Sequence, residues 1–326
     1  MTHTTPTTPD GSMQAWTSAE GVPLQRATLP IPVPQAEQLL IRVRAAALNN
    51  GDLTAAGEEH VAGFEFAGEV VAVGATAPAD LLRRRVFGIA EGTLAEYVVA
   101  HHRHVLVTPD ALSDVDAAAT PTAFTTEFGA AETAAIGEGS TVLVTGGSSA
   151  LGLVAVQVAK ERGARRVLAT TRSEDKIRAL ADAGADAVLL TANDGIAAAA
   201  LEATDGVGTD VVLDHLGGDA LDSAVAAARD GGTVVSVGRL AGGTGALDLF
   251  ALARRHVLLR SVSYGLTPPE VLGDLLDGLA RTLLPAIVAG RLRPVVAATY
   301  DFERAPDALG HLRTGRSAGK VVVTLG

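Results

Sequence analysis

The chain has 326 residues, 48% of them hydrophobic and 19% charged, a globular composition that excludes a disordered chain and suggests about two domains. A formal net charge of −11 and an aromatic content of 3% argue against a nucleic-acid partner. The absence of cysteine excludes disulfides, thiolate zinc sites and cysteine nucleophiles, and no apolar run approaches the roughly 18 residues of a spanning helix. These features predict a soluble, cytoplasmic protein with no membrane partner.

The first part of the chain predicts a mostly β domain preceded by a tail. Residues 1–12 are rich in Thr and Pro and have no apolar segment typical of a secretory signal, so we expect a disordered tail there. From residue 13 to 117, short β-rich runs are broken by Gly, Pro and Asn, as in 39–43, 66–73 and 95–99.

From residue 118 onward, strand and helix patterns alternate. Six short, β-branched runs stand at 141–145, 167–170, 188–190, 211–213, 234–237 and 257–262, with helical periodicity between them. Six buried strands separated by helices predict an α/β fold with a doubly wound parallel sheet over 118–264. A helical segment at 269–289 follows, and the final β-rich run at 320–325 is expected to pair with the first domain.

The strongest motif joins the first of these strands to its helix through the sequence TVLVTGGSSALG at 141–152. Such a turn lets backbone N–H groups approach a pyrophosphate and directs a helix N-terminus at it, although an ordinary strand–helix turn has the same outline. Ser149 replaces the middle glycine of the usual fingerprint and adds a hydroxyl that can bond a phosphate oxygen. The rhythm of the strands favours a dinucleotide site formed by Gly147, Ser148, Ser149, Ala150, Leu151 and Gly152.

The tip of the second strand predicts which dinucleotide binds. An NAD site places a carboxylate there, but this chain has Thr171, Arg172 and Ser173, followed by Lys176. Two cations and hydroxyls suit the 2′-phosphate of NADPH, whereas the alternative is that Ser173 caps a helix and Lys176 is solvated. Later strand ends add four further candidate cofactor contacts, although their glycines also suit plain turns: Leu216, Gly217, Val237 and Gly238.

Several motifs give the chain a resemblance to one family. They are ALNNGD at 47–52, GFEFAG at 63–68, GTLAEY at 92–97, ATPTAFTT at 119–126 and GKVVV at 319–323, beside the turn at 146–152. The chain resembles the zinc-free, quinone oxidoreductase-like branch of the medium-chain dehydrogenase/reductase superfamily. The resemblance implies a GroES-like catalytic domain at 13–117 and 265–326, an inserted Rossmann NADP-binding domain at 118–264, and a homodimer.

The zinc-dependent relatives hold a catalytic metal with a Cys and with the His of a Gly-His-Glu motif. Phe64 occupies that His position and cysteine is absent, so we expect no metal at the catalytic centre, and Glu65 is interpreted as a structural carboxylate. The sequence HHRH at 101–104 is expected on a strand with His102 and His104 on one face and no third ligand. It is interpreted as a solvated cluster.

Without a metal, hydride must go to an acceptor that is already electrophilic. The resemblance places Asn49 in the cleft near nicotinamide and Thr126 in the segment that meets the cofactor, while Tyr264 is a further candidate donor. Asn49 also fits a turn, and Tyr264 also fits packing. Thr54 and Thr191 stand where relatives carry tyrosines, which leaves the proton donor open.

These residues predict a zinc-independent, NADPH-dependent reductase of a small-molecule quinone or α,β-unsaturated carbonyl (enone or enoyl) compound. An enoyl reductase that tailors a polyketide-type secondary metabolite is an alternative. A non-catalytic NADPH-binding sensor or structural protein is a second alternative, which turnover with an activated acceptor would exclude.

Overall fold

The computed structural model describes residues 11–54, 58–264 and 267–326, and the chain divides into two compact units. Unit 1 contains the described residues up to Thr122 together with Pro268–Gly326, and unit 2 contains those of Ala123–Thr267. The boundaries expected from the sequence, 117/118 and 264/265, lie a few residues before these positions. Residues 1–10 of the expected tail lie outside the described residues.

The first part of unit 1 consists of short strands and a small helix. Its elements in chain order are β1 (Ser12–Ala19), β2 (Val22–Pro30), β3 (Gln38–Leu48), β4 (His60–Val61), β5 (Glu65–Val73), β6 (Arg85–Ile89), β7 (Tyr97–His101), β8 (Val105–Val107) and α1 (Asp114–Ala118). Ser12 was expected in the tail, but it begins β1 and pairs with Pro30 of β2. The end assigned to the tail is therefore wrong by at least this residue, because a backbone ladder extends to it.

Unit 2 begins within α2 (Pro121–Thr133) and alternates strand and helix. The elements are β9 (Thr141–Thr145), α3 (Ala150–Glu161), β10 (Arg166–Thr171), α4 (Ile177–Asp182), β11 (Ala187–Leu190), α5 (Ile196–Ala203), β12 (Thr209–Asp214), α6 (Leu221–Ala227), β13 (Ala228–Ser236), α7 (Leu249–Arg254) and β14 (Leu258–Ser261). The strands form one sheet in the order β11-β10-β9-β12-β13-β14, and every neighbouring pair is parallel. The predicted doubly wound parallel sheet is confirmed.

The chain then returns to unit 1 and completes its larger sheet. Its remaining elements are α8 (Pro269–Thr282), α9 (Leu284–Val288), β15 (Val296–Asp301), α10 (Ala305–Arg313) and β16 (Lys320–Thr324). The helix expected at 269–289 is interrupted at Leu283. β16 lies between β15 and β3 in the order β15-β16-β3-β5-β6-β8, with β7 also paired to β3, while β2-β1-β4 form a separate sheet. The expected pairing of the final strand with the first domain is confirmed.

Burial explains why the strands of unit 2 read as continuous apolar runs. All five residues of β9 are buried, because helices cover both faces of a parallel sheet. The centre of this core contains Leu143, Leu168, Val212 and Val234, each fully buried. By contrast, all four residues of β14 at the end of the sheet are exposed. Within the described ranges, no helix is long and apolar enough to cross a membrane.

Candidate active site

The glycine-rich turn of unit 2 has the geometry of an anion-binding helix start. Ser149 is the N-cap of α3, and its Oγ accepts a hydrogen bond from the Gly152 N–H at 3.1 Å. Its oxygen therefore holds the helix in place, while its own hydroxyl hydrogen is left to donate. The N–H groups of Ala150 and Leu151 open the helix, where no preceding turn supplies a carbonyl for them. These two donors and the Ser149 hydroxyl are what the turn offers to a phosphate.

Close packing requires glycine at position 152. A Cβ on Gly152 would lie 2.6 Å from the carbonyl oxygens of both Gly146 and Gly147, so no side chain fits between α3 and the turn. Thr170 of β10 holds the turn from the other side: its Oγ1 accepts from the Gly146 N–H and its carbonyl from the Gly147 N–H, at 3.1 and 3.0 Å. The backbone is thus fixed before any ligand arrives, which is the preorganisation a pyrophosphate site needs.

The four residues expected near a 2′-phosphate follow β10 closely. Thr171 is buried and its hydroxyl lies 3.2 Å from that of Ser148, whereas Arg172 is exposed. Ser173 precedes a 3₁₀ turn at 174–176 but its side chain makes no capping bond; its hydroxyl bonds the Asp175 carboxylate instead. Lys176 ends that turn and is partly exposed. Cationic and hydroxyl groups are therefore gathered beyond the carboxyl end of β10.

The ends of β12 and β13 form the neighbouring part of this edge. The Asp214 carboxylate fastens it by accepting from the Leu216 N–H at 3.1 Å and from the Gly217 N–H at 3.0 Å. Gly217 has φ +60°, a conformation that favours glycine. The N–H groups of Val237 and Gly238 both donate to the Asp214 carbonyl. One carboxylate and its own backbone thus organise all four candidate contacts of the later strands.

Helix α2 presents Thr126 differently from its neighbours. Thr126 is the only residue between 123 and 131 that is not buried. Tyr264 lies against the same helix: a Cβ on Gly129 would overlap its hydroxyl, and that hydroxyl bonds the Thr133 side chain. Burial raises the pKa of Tyr264, against the opposing effect of this hydrogen bond. The structure therefore favours the packing interpretation of Tyr264.

Unit 2 also contains a buried pair that the sequence did not indicate. The His215 Nε2 lies 2.9 Å from Glu127 Oε1, and its Nδ1 lies 3.1 Å from the Thr145 carbonyl oxygen. Burial alone would lower the pKa of His215, but the Glu127 carboxylate outweighs it and the pKa is raised. The pattern that could have found the pair is an isolated Glu in the apolar run of α2 and a His directly after a buried strand.

In unit 1, Asn49 belongs to a buried polar cluster. Its Nδ2 donates to Glu65 Oε1 at 2.9 Å, and its Oδ1 accepts from Lys320 Nζ at 2.5 Å. Lys320 Nζ also lies 2.5 Å from Glu65 Oε1, and the other oxygen of Glu65 accepts from the Thr122 N–H at 2.8 Å. Glu65 and Lys320 are both buried. The amide of Asn49 is therefore oriented by an ammonium on one side and a carboxylate on the other.

Asp52 completes this cluster through the backbone. Asn49 is the N-cap of a 3₁₀ turn at Asn50–Leu53 that contains Asp52: the Asn49 N–H donates to Asp52 Oδ2 at 2.6 Å, and the Asp52 N–H donates to the Asn49 carbonyl at 2.9 Å. Asn49 thus takes part in a turn, as one of the two interpretations of this residue expected. Burial raises the pKa of Asp52 to about 7 against the lowering effect of the Asn49 N–H. Asp52 Oδ1 is buried without a partner in the described part of the chain.

The residues at the position where the zinc-dependent relatives hold their metal do not fit a catalytic zinc. Phe64 is partly exposed and its ring lies over Gly51, and a phenyl ring offers no nitrogen, oxygen or sulfur ligand. Of the carboxylates near it, Glu65 is paired with Lys320, and Asp52 accepts from the Asn49 N–H through Oδ2. These residues therefore assign no part of the reaction to zinc.

The histidine cluster differs from the expected strand face. Residues 102–104 form a 3₁₀ turn after β7, so the strand interpretation is wrong. Possible ligand atoms of Glu37, His101 and His102 lie within 4.8 Å of one another, a different set from the expected pair of His102 and His104. Partial burial and the neighbouring His104 and His102 lower the pKa of His101. These residues lie outside the Asn49 cluster.

Comparisons with known proteins agree with this architecture. The family model for the alcohol dehydrogenase GroES-like domain matches residues 35–110, and that for zinc-binding dehydrogenases matches residues 150–280. The quinone oxidoreductase of Thermus thermophilus, whose structures include a complex with NADPH, has a TM-score of 0.82 and 30% identity, covering 96% of this chain and 100% of its own.

Two curated relatives carry reductase or polyketide names. The spectinabilin polyketide synthase system protein NorB of Streptomyces orinoci is 35% identical over 88% of this chain, but the match covers 13% of NorB. The 2-methylene-furan-3-one reductase of Solanum lycopersicum is 28% identical, covering 90% of this chain and 73% of its own. This chain therefore spans only a small part of the polyketide synthase relative.

Together these findings define the class. The chain belongs to the medium-chain dehydrogenase/reductase superfamily and, within it, to the quinone oxidoreductase-like branch. It is an oxidoreductase of this superfamily, and the dehydrogenase family model at residues 150–280 covers most of unit 2.

Proposed function

We propose that this protein is a zinc-independent, NADPH-dependent reductase that transfers hydride to a quinone or to an α,β-unsaturated carbonyl compound. One observation in each unit supports the proposal: the glycine-rich turn of unit 2 is held by Thr170, and the Asn49 amide of unit 1 is held by Glu65 and Lys320. The cofactor supplies hydride when it is bound. Everything else in the reaction falls to the side chains of this chain.

The choice of NADPH rests on the tip of β10. The exposed Arg172 and the partly exposed Lys176 flank hydroxyl groups, and no carboxylate stands at the strand tip to hold a ribose 2′-OH. Glu174 and Asp175 follow in the 3₁₀ turn, but the Asp175 carboxylate is bonded by Ser173. A guanidinium binds a phosphate through paired, charge-assisted hydrogen bonds, which favours a 2′-phosphate.

Asn49 is proposed to bind the acceptor oxygen on which negative charge develops. One Nδ2 hydrogen is used by Glu65, so the amide keeps a second donor. Lys320 binds the carbonyl end of the same amide and polarises it, which strengthens that donor. A fixed donor of this kind stabilises an oxyanion without metal or nucleophile. Thr126, as the accessible residue of its helix segment, is proposed to contact the cofactor.

An enoyl reductase that acts on a polyketide-type thioester is the second candidate. The 35% identity to part of a polyketide synthase system protein favours this candidate. The chemistry is compatible with it, because a 2-enoyl thioester is also a conjugated carbonyl compound. The two candidates share one chemistry and differ only in the acceptor.

Turnover tests the proposal directly. NADPH oxidation is measured with 1,4-benzoquinone, with a simple enone and with a 2-enoyl thioester, and NADP⁺ reduction is measured with ethanol. We expect at least one activated acceptor to be reduced and ethanol to give nothing. Binding of NADPH without turnover on any acceptor would favour the non-catalytic sensor, and robust ethanol oxidation would overturn the mechanism.

Asn49→Ala tests the donor. Loss of one oxyanion donor lowers kcat/KM by about 10²–10³-fold while NADPH affinity stays within a few-fold. Asn50→Ala, at the exposed neighbouring position, is the matched control and should leave kcat/KM near the wild-type value. Equal effects of the two substitutions would remove Asn49 from the mechanism.

We also propose a homodimer formed through β14. This strand ends the parallel sheet and all four of its residues are exposed, with Leu258 and Leu259 at 50% and 40% exposure. An apolar edge strand readily pairs with a second copy. Light scattering should give a dimer for the wild type and a monomer for Leu259→Lys, while Leu190→Lys on β11, at the opposite end of the sheet, leaves the dimer intact. A monomeric wild type contradicts this.

A further inference from the structure

Glu127 and His215 form a fully buried pair in unit 2 that the proposed hydride transfer does not use. Glu127 is 0% and His215 1% exposed. Glu127 Oε2 has no partner among the described residues, so the His215 ring is the one described side chain that bonds this carboxylate. A buried carboxylate with a single partner is costly, which calls for an explanation beyond packing.

Hydrogen-bond geometry fixes where the protons of the pair lie. His215 Nδ1 faces the Thr145 carbonyl oxygen at 3.1 Å, and because a carbonyl only accepts, Nδ1 must carry a hydrogen. The 2.9 Å contact between His215 Nε2 and Glu127 Oε1 then needs one further proton between the two atoms. The pair is therefore a proton-bridged unit.

The bridge joins three of the segments that carry candidate cofactor residues. Glu127 directly follows Thr126 on α2. Thr145 ends β9 and directly precedes the glycine-rich turn. His215 directly precedes Leu216 and Gly217 at the end of β12. The backbone N–H of His215 also donates to Thr145 Oγ1 at 3.1 Å.

The end of β13 is packed against the same point. A Cβ on Gly238 would lie 2.5 Å from the His215 carbonyl oxygen, so a shift of His215 would move this segment too. The pair is therefore linked to every strand end that carries candidate cofactor residues, except the end of β10.

We propose that Glu127 and His215 are positioning residues: their shared proton holds Thr126, the glycine-rich turn and the Leu216–Gly217 segment in the arrangement that binds NADPH. This inference rests on the proposed function, because it takes NADPH as the ligand of unit 2. It assigns neither residue a contact with the cofactor. Its specific content is that a bridging hydrogen bond, and not the charge of Glu127, is what the site needs.

Variants of Glu127 separate the bridge from the charge. In Glu127→Gln the amide N–H donates to Nε2 and the Nδ1–Thr145 bond is kept, so we expect the Kd for NADPH within about threefold of wild type. Glu127→Leu has similar volume but no bridge, and we expect Kd to rise about tenfold or more. Glu132→Leu is the matched control, since Glu132 lies on the same helix but in a partly exposed ion pair with Arg162; it should leave Kd unchanged.

The outcomes are distinct. A folded Glu127→Leu variant with wild-type Kd, or a Glu127→Gln variant as weak as the Leu variant, overturns the inference. A wild type that does not bind NADPH overturns the proposed function instead.

A second measurement uses the cofactor-free wild type and needs no variant to fold. Nitrogen-15 NMR of the histidine side chains should show that His215 Nδ1 carries a proton across pH 5.5–8. It should also show that the proton in the hydrogen bond between His215 Nε2 and Glu127 exchanges slowly with solvent. An unprotonated Nδ1 would contradict the bridge, whatever the enzyme reduces.

Discussion

The two units bury their carboxylates in different ways. In unit 1, Glu65 is paired with Lys320, 255 positions away in the chain, and also accepts from Asn49 and Thr122. In unit 2, Glu127 is paired with His215, 88 positions away, through one of its oxygens. Glu65 thus has three partners, one of them an ammonium group, whereas Glu127 has one described partner, an imidazole ring.

The largest effect is expected from breaking the Glu65–Lys320 pair. Lys320→Met leaves Glu65 buried without its cation, and such a loss costs about 3–5 kcal/mol of unfolding free energy. Urea denaturation of the cofactor-free protein measures it. The double variant Lys320→Met/Glu65→Gln removes both charges and should regain much of the loss. If the single variant is as stable as wild type, the pair contributes nothing to the fold.

Asp52 should make the stability of the protein depend on pH. Its folded pKa, about 7, lies above the ordinary value of 3.8, so the native state binds more protons than the unfolded state between these pH values. Unfolding free energy therefore falls as pH rises from about 4 to 7, by at most about 4 kcal/mol from this residue. Asp52→Asn should flatten that fall, as measured by urea denaturation at several pH values. A parallel pH profile for variant and wild type would refute this.

A smaller effect concerns cofactor choice. Arg172→Ala or Lys176→Ala should raise the Kd for NADPH by about 10–100-fold and leave NADH nearly unchanged, since one charge-assisted bond to the 2′-phosphate is lost. Arg178→Ala, a cation on the neighbouring α4, is the control and should change neither Kd. Equal weakening of both cofactors would mean that these residues only support the fold.

The smallest effect is expected from chelators. Activity with quinone or enone should survive EDTA, because Phe64 offers no ligand at the catalytic position. Elemental analysis should find no stoichiometric zinc, and it should be repeated on His101→Gln/His102→Gln, which removes the surface group near Glu37. About one zinc per chain that remains in this variant would contradict the zinc-free mechanism.

How far the sequence predicted the molecule depends on the range of the interactions involved. The strand at 141–145 and the parallel sheet were predicted because burial on both faces produces continuous apolar runs. The interruption of the 269–289 helix at Leu283 was not, although Pro285 at the start of α9 is a local signal for it. The turn at 102–104 was missed because alternation of side chains alone does not distinguish a strand from a tight turn.

The polar clusters were harder to predict. Glu65 and Asn49 were noticed through the resemblance, but nothing local in the sequence joins them to Lys320, because the link depends on the pairing of β16 with β3. The Glu127–His215 pair depends in the same way on α2 lying against the end of β12. Thr170, which fixes the glycine-rich turn, was read only as strand.

The position of β16 also has a consequence for how the chain is made. Unit 2 is one continuous stretch of the chain, so all of its strands are available for folding once residue 267 has left the ribosome. In the larger sheet of unit 1, β16 lies between the end strand β15 and β3, so the hydrogen-bond ladder cannot close until residues 320–324 leave the ribosome. Until then the flank of β3 is an open edge, available for pairing with other nascent chains. We therefore expect nascent chains from which unit 2, but not residues 320–324, has left the ribosome to expose this edge while unit 2 is already folded.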